Sequence, residues 1–248
     1  MKTVAIIQAR MNSTRLFGKI MIEIEGRSVL GHVVTRAQAC PRLDEVIVAT
    51  TFRGDDDATA QEGLRHGAII FRGSEDDVLA RYQGAAQESG ADVIVRITSD
   101  CPLYDADLLT RMLDEFQQRR NRGEQIDFLS NTLDRTFPRG LDTEIFTRAA
   151  LETAHREAVR PDDREHVTPF IHRNSQRFGV VQYRHHEDLS KNRWTLDTDE
   201  DLSFVQEIYS ALKEEKMPFS TETVLNLLQA RPSLTYINSH VEQKKLTS

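Results

Sequence analysis

In the first half of this chain, short apolar runs alternate with amphipathic stretches, and that alternation restricts the fold more than any other feature. Residues 4–7, 46–49, 68–71 and 93–97 are too short for buried helices. They are apolar enough for strands covered on both faces. Residues 28–39, 55–65, 76–88 and 105–119 carry helical periodicity. Ser28 stands as an N-cap before Val29, Leu30, Val33 and Val34, which share one helical face. Ser74, with Asp77 three residues later, marks another helix start. Leu108, Leu109, Met112, Leu113 and Phe116 line one face of the stretch 105–119. Strands alternating with helices predict parallel βαβ units. Right-handed crossovers then give an α/β fold with a doubly wound, mostly parallel sheet.

The second half is less regular. Residues 126–129, 142–146 and 178–183 read as strands, and 148–156 and 164–172 as helices. The segment 131–183 is punctuated by Pro138, Gly140, Pro161 and Pro169 and reads as an inserted subdomain. Helices follow at 199–212 and 221–229. From Arg231 on periodicity fades, which predicts a loosely packed tail. Phe128, Phe137, Ile145, Phe146, Phe170, Ile171 and Phe178 give the region around 131–183 more apolar side chains than a small projection can bury. That predicts a two-fold contact with a second copy, a homodimer.

A chain of 248 residues suits a single α/β domain and needs no covalent staples. Its two cysteines, Cys40 and Cys101, match neither a CxxC motif nor a metal-binding spacing, as expected of reduced cytosolic thiols. A net charge of −7 excludes a nucleic-acid binder driven by overall charge, but it permits a local basic pocket. The N-terminus passes from Met1-Lys2-Thr3 directly into a strand, without the features of a signal peptide. No apolar run approaches the roughly 18 residues of a membrane span. A cytoplasmic protein without membrane or nucleic-acid partners is expected.

The chemistry begins where the first strand ends, in Gln8-Ala9-Arg10-Met11-Asn12-Ser13-Thr14-Arg15-Leu16-Phe17-Gly18-Lys19. Open α/β sheets bind ligands at the carboxyl ends of their strands. Arg10, Arg15 and Lys19, with the hydroxyls of Ser13 and Thr14, suit a polyphosphate, whose oxygens need several charge-assisted donors at once. The strand 93–97 runs into Thr98-Ser99-Asp100-Cys101-Pro102-Leu103, which brings Asp100 to the same edge. A carboxylate there suits Mg²⁺, which takes one or two protein carboxylates plus substrate phosphates; a turn or helix-capping role is the plainer alternative. Farther on, Asp199, Glu200 and Asp201 read as first-turn helix chemistry, whereas Asp197 precedes the cap and is left unexplained by it. Two strand-to-helix carboxylates so far apart in sequence meet on one ion only in a compact α/β fold. The triplet Asp55-Asp56-Asp57 reads as a helix start. No GxGxxG or GxxxxGK[ST] motif is present, which argues against a dinucleotide fold or a P-loop.

The stretch Gln8-Ala9-Arg10, Ser13-Thr14-Arg15-Leu16 and Gly18-Lys19 resembles the nucleotide-binding signature of the cytidylyltransferase superfamily, which makes CMP-activated acidic sugars (CMP-Kdo, CMP-sialic acid). The nearest subgroup by resemblance is the spore-coat polysaccharide biosynthesis F type. Phe17 stands where the family often has Pro, which would stiffen the loop by fixing φ. Thr98–Leu103 resembles the superfamily's Asp-x-Pro-Leu motif, and Asp197–Leu202 its Asp-Thr-x-Glu-Asp-Leu motif, which implies that Asp100 and Asp197 are the metal ligands. Gly73–Arg81 resembles the segment near the nucleoside, which adds Arg81. Pro138–Glu144 resembles the acceptor-side segment of the subgroup, which adds Arg139, Asp142 and Glu144. Arg164–Pro169 also looks like that subgroup, although His166 on its mixed face reads more simply as a packed side chain.

The resemblance implies an Mg²⁺-dependent cytidylyltransferase. CTP would be bound by Gln8, Ala9, Arg10, Ser13, Arg15, Lys19, Arg81 and Asp100. Arg10, Arg15, Lys19 and Asp100 would carry catalysis toward an acidic acceptor, for surface polysaccharide biosynthesis, in a homodimer. Two other functions fit parts of the pattern. A nucleotide-sugar-dependent glycosyltransferase would carry an Asp-x-Asp motif, where Thr98-Ser99-Asp100 has one Asp. A non-catalytic nucleotide-binding protein would lack the metal carboxylates, and both are present.

Overall fold

The computed structural model describes residues 1–13 and 15–243. Strand β1 (Thr3–Gln8) lies in the interior of a seven-stranded sheet. Its side chains alternate between two apolar layers. Ala5 and Ile7 enter one core, Val4 and Ile6 the other, and all four are fully buried. This is the arrangement that a continuous apolar run requires. β1 pairs in parallel with β4 (Glu45–Thr51) and with β6 (Val93–Thr98), and β4 pairs in parallel with β5 (Ile69–Gly73). A short hairpin, β2 (Glu23–Ile24) and β3 (Arg27–Ser28), stands outside the sheet.

Helices α1 (Val29–Gln38) and α2 (Asp57–Arg65) link β1, β4 and β5 on one side of β1, and α3 (Val78–Ser89) crosses to β6 on the other. Strand order therefore reverses between β1 and β6, and the crevice beyond their carboxyl ends is where such sheets bind ligands. The Ser28 hydroxyl caps α1 by accepting from the Gly31 N–H, as expected. The cap of α3 is Asp77, which accepts from the Ala80 N–H, while Ser74 accepts from the Asp77 N–H one step earlier. Helix α4 (Ala106–Asn121) follows β6.

Beyond α4 the expected subdomain is woven into the same sheet. β8 (Glu144–Thr147) lies antiparallel between β6 and β7 (Phe128–Ser130), and β9 (Val180–Gln182) closes the edge. Helices α5 (Arg148–Glu157), α6 (Pro161–His166) and α7 (Pro169–Arg173) belong to this region. Phe128, Phe146, Ile171 and Phe178 fill the second core, Phe137 and Ile145 the first, and Phe170 is partly covered. The side chains that predicted a contact with a second copy are thus covered by their own chain, so that composition argument supplies no exposed patch.

Two further expectations change. The single helix at 164–172 is broken at Val167 into α6 and α7. As far as residue 243, the tail beyond α8 (Asp199–Ala211) and α9 (Thr221–Ala230) is not loose: Leu234 joins the first core and Asn238 is buried, while residues 244–248 lie outside the described residues. Among the described residues, no helix is long and apolar enough to cross a membrane.

Candidate active site

The loop after β1 is pinned before it can deliver its cations. Asp56 of the aspartate triplet is buried, accepts from the Met11 N–H at 2.7 Å, and is itself held by the Thr51 and Thr59 hydroxyls. The triplet thus anchors the loop as well as preceding α2. Gly18 adopts φ 66°, a conformation open to glycine without strain, and the chain turns back so that Lys19 points inward.

Lys19 is buried, and its ammonium donates to Asp100 Oδ2 at 2.9 Å, Asp197 Oδ1 at 2.8 Å and the Leu196 carbonyl at 2.9 Å. Burial alone would lower its pKa, but the two carboxylates outweigh that and raise it, so the group stays charged. Burial would likewise raise the Asp100 carboxyl; the Lys19 ammonium and the Thr98 hydroxyl, 2.6 Å away, overcome it and hold the carboxyl at about 2. Arg15 reaches Asp197 Oδ2 at 2.8 Å and Arg193 reaches the same oxygen at 3.0 Å. The backbone fixes this meeting. Leu196 N–H donates to the Asp100 carbonyl, and Trp194 N–H donates to the Arg139 carbonyl. Asp197 lies just ahead of the α8 cap, where the Thr198 hydroxyl and the Asp201 carboxylate form a capping box.

Two cavities meet at these residues. The smaller, about 340 Å³, is lined by Gln8, Ala9, Arg10, Ser13, Arg15, Lys19, Arg81 and Asp100 among others. The structure thus brings together every residue expected to bind the nucleotide; Thr14 lies outside the described residues. Arg81 is buried, donates to the Ser74 carbonyl, and has no partner for its Nε–H among the described residues. The larger cavity, about 880 Å³, contains Arg139, Asp142 and Glu144, the expected acceptor-side residues.

Those three differ in availability. Asp142 is held by Arg135 through two bonds of 2.6 and 2.8 Å. Glu144 accepts from Arg96 at 2.6 Å and from the Thr168 hydroxyl at 2.8 Å. Among the described residues, Arg139 makes no salt bridge; burial and then the nearby Arg135 lower its pKa, opposed only in part by Asp142.

Several site residues escaped the sequence reading. Arg96 did leave a signal, a charge inside an otherwise apolar strand; it faces Glu144 across the β6–β8 register. Arg193 is buried and binds Asp197 and both oxygens of Asp201. Its other contacts come from the tail, Gln243 Oε1 at 2.7 Å and Asn238, whose amide donates to the Arg193 carbonyl and to Asp201. Nothing in the aperiodic tail announced these two. Cys101 is buried, and that burial first, then the nearby Asp100, pushes its thiol pKa up, away from the thiolate form.

A switch-point crevice that joins a cationic loop to two converging carboxylates suits the handling of a nucleotide and its phosphates. The sequence model of the family described as cytidylyltransferase matches residues 4–236, and the chain belongs to that family. A solved cytidylyltransferase from Leptospira borgpetersenii is 36% identical, with a TM-score of 0.90 over 99% of this chain and all of the other. An uncharacterised protein of Methanocaldococcus jannaschii is 35% identical over 98% of this chain and 97% of its own length. The spore coat polysaccharide biosynthesis protein SpsF of Bacillus subtilis is 29% identical over 92% of this chain and 94% of its own length.

Proposed function

We propose that this cytidylyltransferase uses Mg²⁺ to transfer CMP from CTP to an acidic sugar, releasing pyrophosphate, in surface polysaccharide biosynthesis in the cytoplasm. The observation that carries the reading is the sharing of the Lys19 ammonium by Asp100 and Asp197 where the two cavities meet. An oxygen of the acceptor attacks the α-phosphorus, the bond to the bridging oxygen breaks, and pyrophosphate leaves with that electron pair. Arg10, Arg15 and Lys19, which line one cavity, would neutralise the triphosphate and the leaving group. Arg139, with no salt bridge in the larger cavity, supports an anionic acceptor, and polysaccharide biosynthesis is the named role of the Bacillus subtilis relative.

The donor set fits a hard divalent cation. Asp100 and Asp197 already converge on one cationic nitrogen, and Asp100 is ionised far below neutral pH. Among the described residues no three His, Cys, Asp or Glu side chains form a metal cluster, so the protein offers two carboxylates and phosphates would complete the shell. When bound, the ion would neutralise phosphate charge and acidify an attacking hydroxyl. Lys19, Arg15 and Arg193 contact three carboxylates, Asp100, Asp197 and Asp201, so charge is balanced within this cluster and the other cations of the loop would face the triphosphate.

The test is pyrophosphate release from CTP with Mg²⁺ and a panel of sugar acids, including 3-deoxy-manno-octulosonate and N-acetylneuraminate. Turnover is expected with at least one acid, and Asp100→Asn should reduce it about 100- to 1000-fold with the fold intact. Release from neutral sugars alone, or full activity in Asp100→Asn, would overturn the reading.

A further inference from the structure

Five residues line both cavities: Arg15, Thr98, Asp100, His166 and Asp197. A group transferred from one cavity to the other reacts among them. Four are engaged with polar partners, Arg15 with Asp197, Thr98 with Asp100, and both carboxylates with Lys19. His166 is the exception. It is half-buried, and among the described residues neither ring nitrogen makes a hydrogen bond.

The backbone beside it is held under strain. Val167 has φ 73° and ψ −54°, and the Thr168 N–H donates to the His166 carbonyl at 2.9 Å. This is a γ-turn of the rare strained form, here centred on a β-branched residue. Such conformations persist only where the surroundings impose them. Those surroundings are visible. Val167 is fully buried, its N–H donates to the Asp163 carbonyl at 3.0 Å, and the Thr168 hydroxyl is fixed on Glu144. The turn interrupts what the sequence would continue as one helix, and His166 is the last residue before the break.

We propose that His166 is the general base that takes the proton from the attacking hydroxyl of the acceptor, an assignment that rests on the cytidylyl-transfer reading. The acceptor O–H bond breaks and its proton passes to the free ring nitrogen. The oxygen forms the new bond to the α-phosphorus, pyrophosphate leaves, and the imidazolium returns its proton to solvent. The charged groups that bear on the ring are Glu165 and Asp162 of α6, Arg96 of β6 and Glu144 of β8. Burial, only partly opposed by Glu165, holds the ring below the usual imidazole range, so its lone pair is available at neutral pH.

The experiment compares wild type with His166→Gln and His166→Ala, using CTP and whichever sugar acid of the panel the wild type accepts. Wild-type inactivity on every acid removes the reading and the assignment together; the variants test the assignment alone. Both should melt cooperatively and keep the KM for CTP within about threefold. Their kcat should fall about 100- to 10,000-fold. The acid limb of the wild-type pH profile should vanish, and imidazole should restore turnover to the alanine variant. Activity within threefold of wild type, or a loss that keeps the acid limb and resists imidazole, would overturn the proposal. Should neither variant fold, His166 of the wild type can be modified with diethyl pyrocarbonate and the site mapped by mass. Turnover that survives modification overturns the assignment; loss prevented by CTP plus the sugar acid supports it.

Discussion

The Lys19 ammonium lies 2.8 Å from the Asp197 carboxylate in an interior where neither side chain is more than slightly exposed. Asp100 shares the same ammonium. Removing one member of a buried, hydrogen-bonded charge set leaves the others uncompensated, which costs about 3–5 kcal/mol. Lys19→Met should therefore lower Tm by on the order of 10 °C in thermal unfolding, at about 2–4 °C per kcal/mol for a chain of this size. Millimolar Mg²⁺ should recover more of this loss in the variant than it adds to wild type, because a divalent cation can then satisfy both carboxylates. Equal Mg²⁺ effects on the two proteins would show that the carboxylate pair is no cation site.

Much of this arrangement was legible because strand burial and strand-end chemistry are local. Val4–Ile7 and Val93–Ile97 have to be covered on both faces, and the residues directly after each strand have to lie at the sheet edge. That logic brought Arg15, Lys19 and Asp100 to one edge; Asp197, which follows no strand, was added because it precedes the α8 cap and by the family resemblance, and salt bridges join all four in the structure. Availability was not legible. Asp142 and Glu144 stand among the expected acceptor-side residues, yet Arg135 and Arg96 occupy them. A pairing between residues distant in sequence has no local signature, and neither does a γ-turn on Val167. The tail failed for a different reason. Asn238 acts through two hydrogen bonds rather than through a periodic apolar face, so the lack of pattern said nothing about its packing.

Arg139 and Arg135 line the same cavity but should behave differently on removal. Arg139 has no salt bridge among the described residues, and Arg135 is neutralised by Asp142. Arg139→Ala should raise the acceptor KM about 10- to 100-fold, since a charge-assisted hydrogen bond contributes about 1.5–3 kcal/mol, and leave the KM for CTP unchanged. Arg135→Ala should instead lower Tm, because it strands Asp142. Steady-state kinetics with each substrate varied in turn, beside melting curves, separates the two; an unchanged acceptor KM in Arg139→Ala would remove it from acceptor binding.

Asn238 reaches the site without touching it. Its amide supports Arg193 and Asp201, and Arg193 in turn holds Asp197. Asn238→Ala should cost about 1–3 kcal/mol of stability, the penalty for stranding buried polar groups. It should also raise the Mg²⁺ concentration needed for half-maximal turnover, because the Asp197 carboxylate loses part of its support. Asn238→Asp would set a third carboxylate against Asp201 and should be worse than alanine. Wild-type Mg²⁺ dependence in the alanine variant would confine Asn238 to a structural role.

The last prediction concerns acid stability and lies away from the site. His32 is buried on α1, donates from Nε2 to the Ile24 carbonyl at 2.8 Å, and packs its ring 4.4 Å from that of Tyr209. Its Nδ1 has no partner among the described residues, so protonation would create a buried imidazolium near Arg27 and Arg36. Burial first, then those cations, lower its pKa from 6.5 to about 4, against the hydrogen bond to Ile24. Between those two values the unfolded chain binds a proton that the folded chain refuses. Stability therefore falls as pH drops from about 6.5 to about 4 and levels off, for this group, below that. The loss is about 3 kcal/mol, at about 1.4 kcal/mol per pH unit. His32→Gln keeps an N–H for the Ile24 carbonyl and has no proton to gain. Urea unfolding at pH 7, 5.5 and 4 should show its stability converging on, then exceeding, that of wild type; parallel profiles would mean that His32 titrates alike in both states.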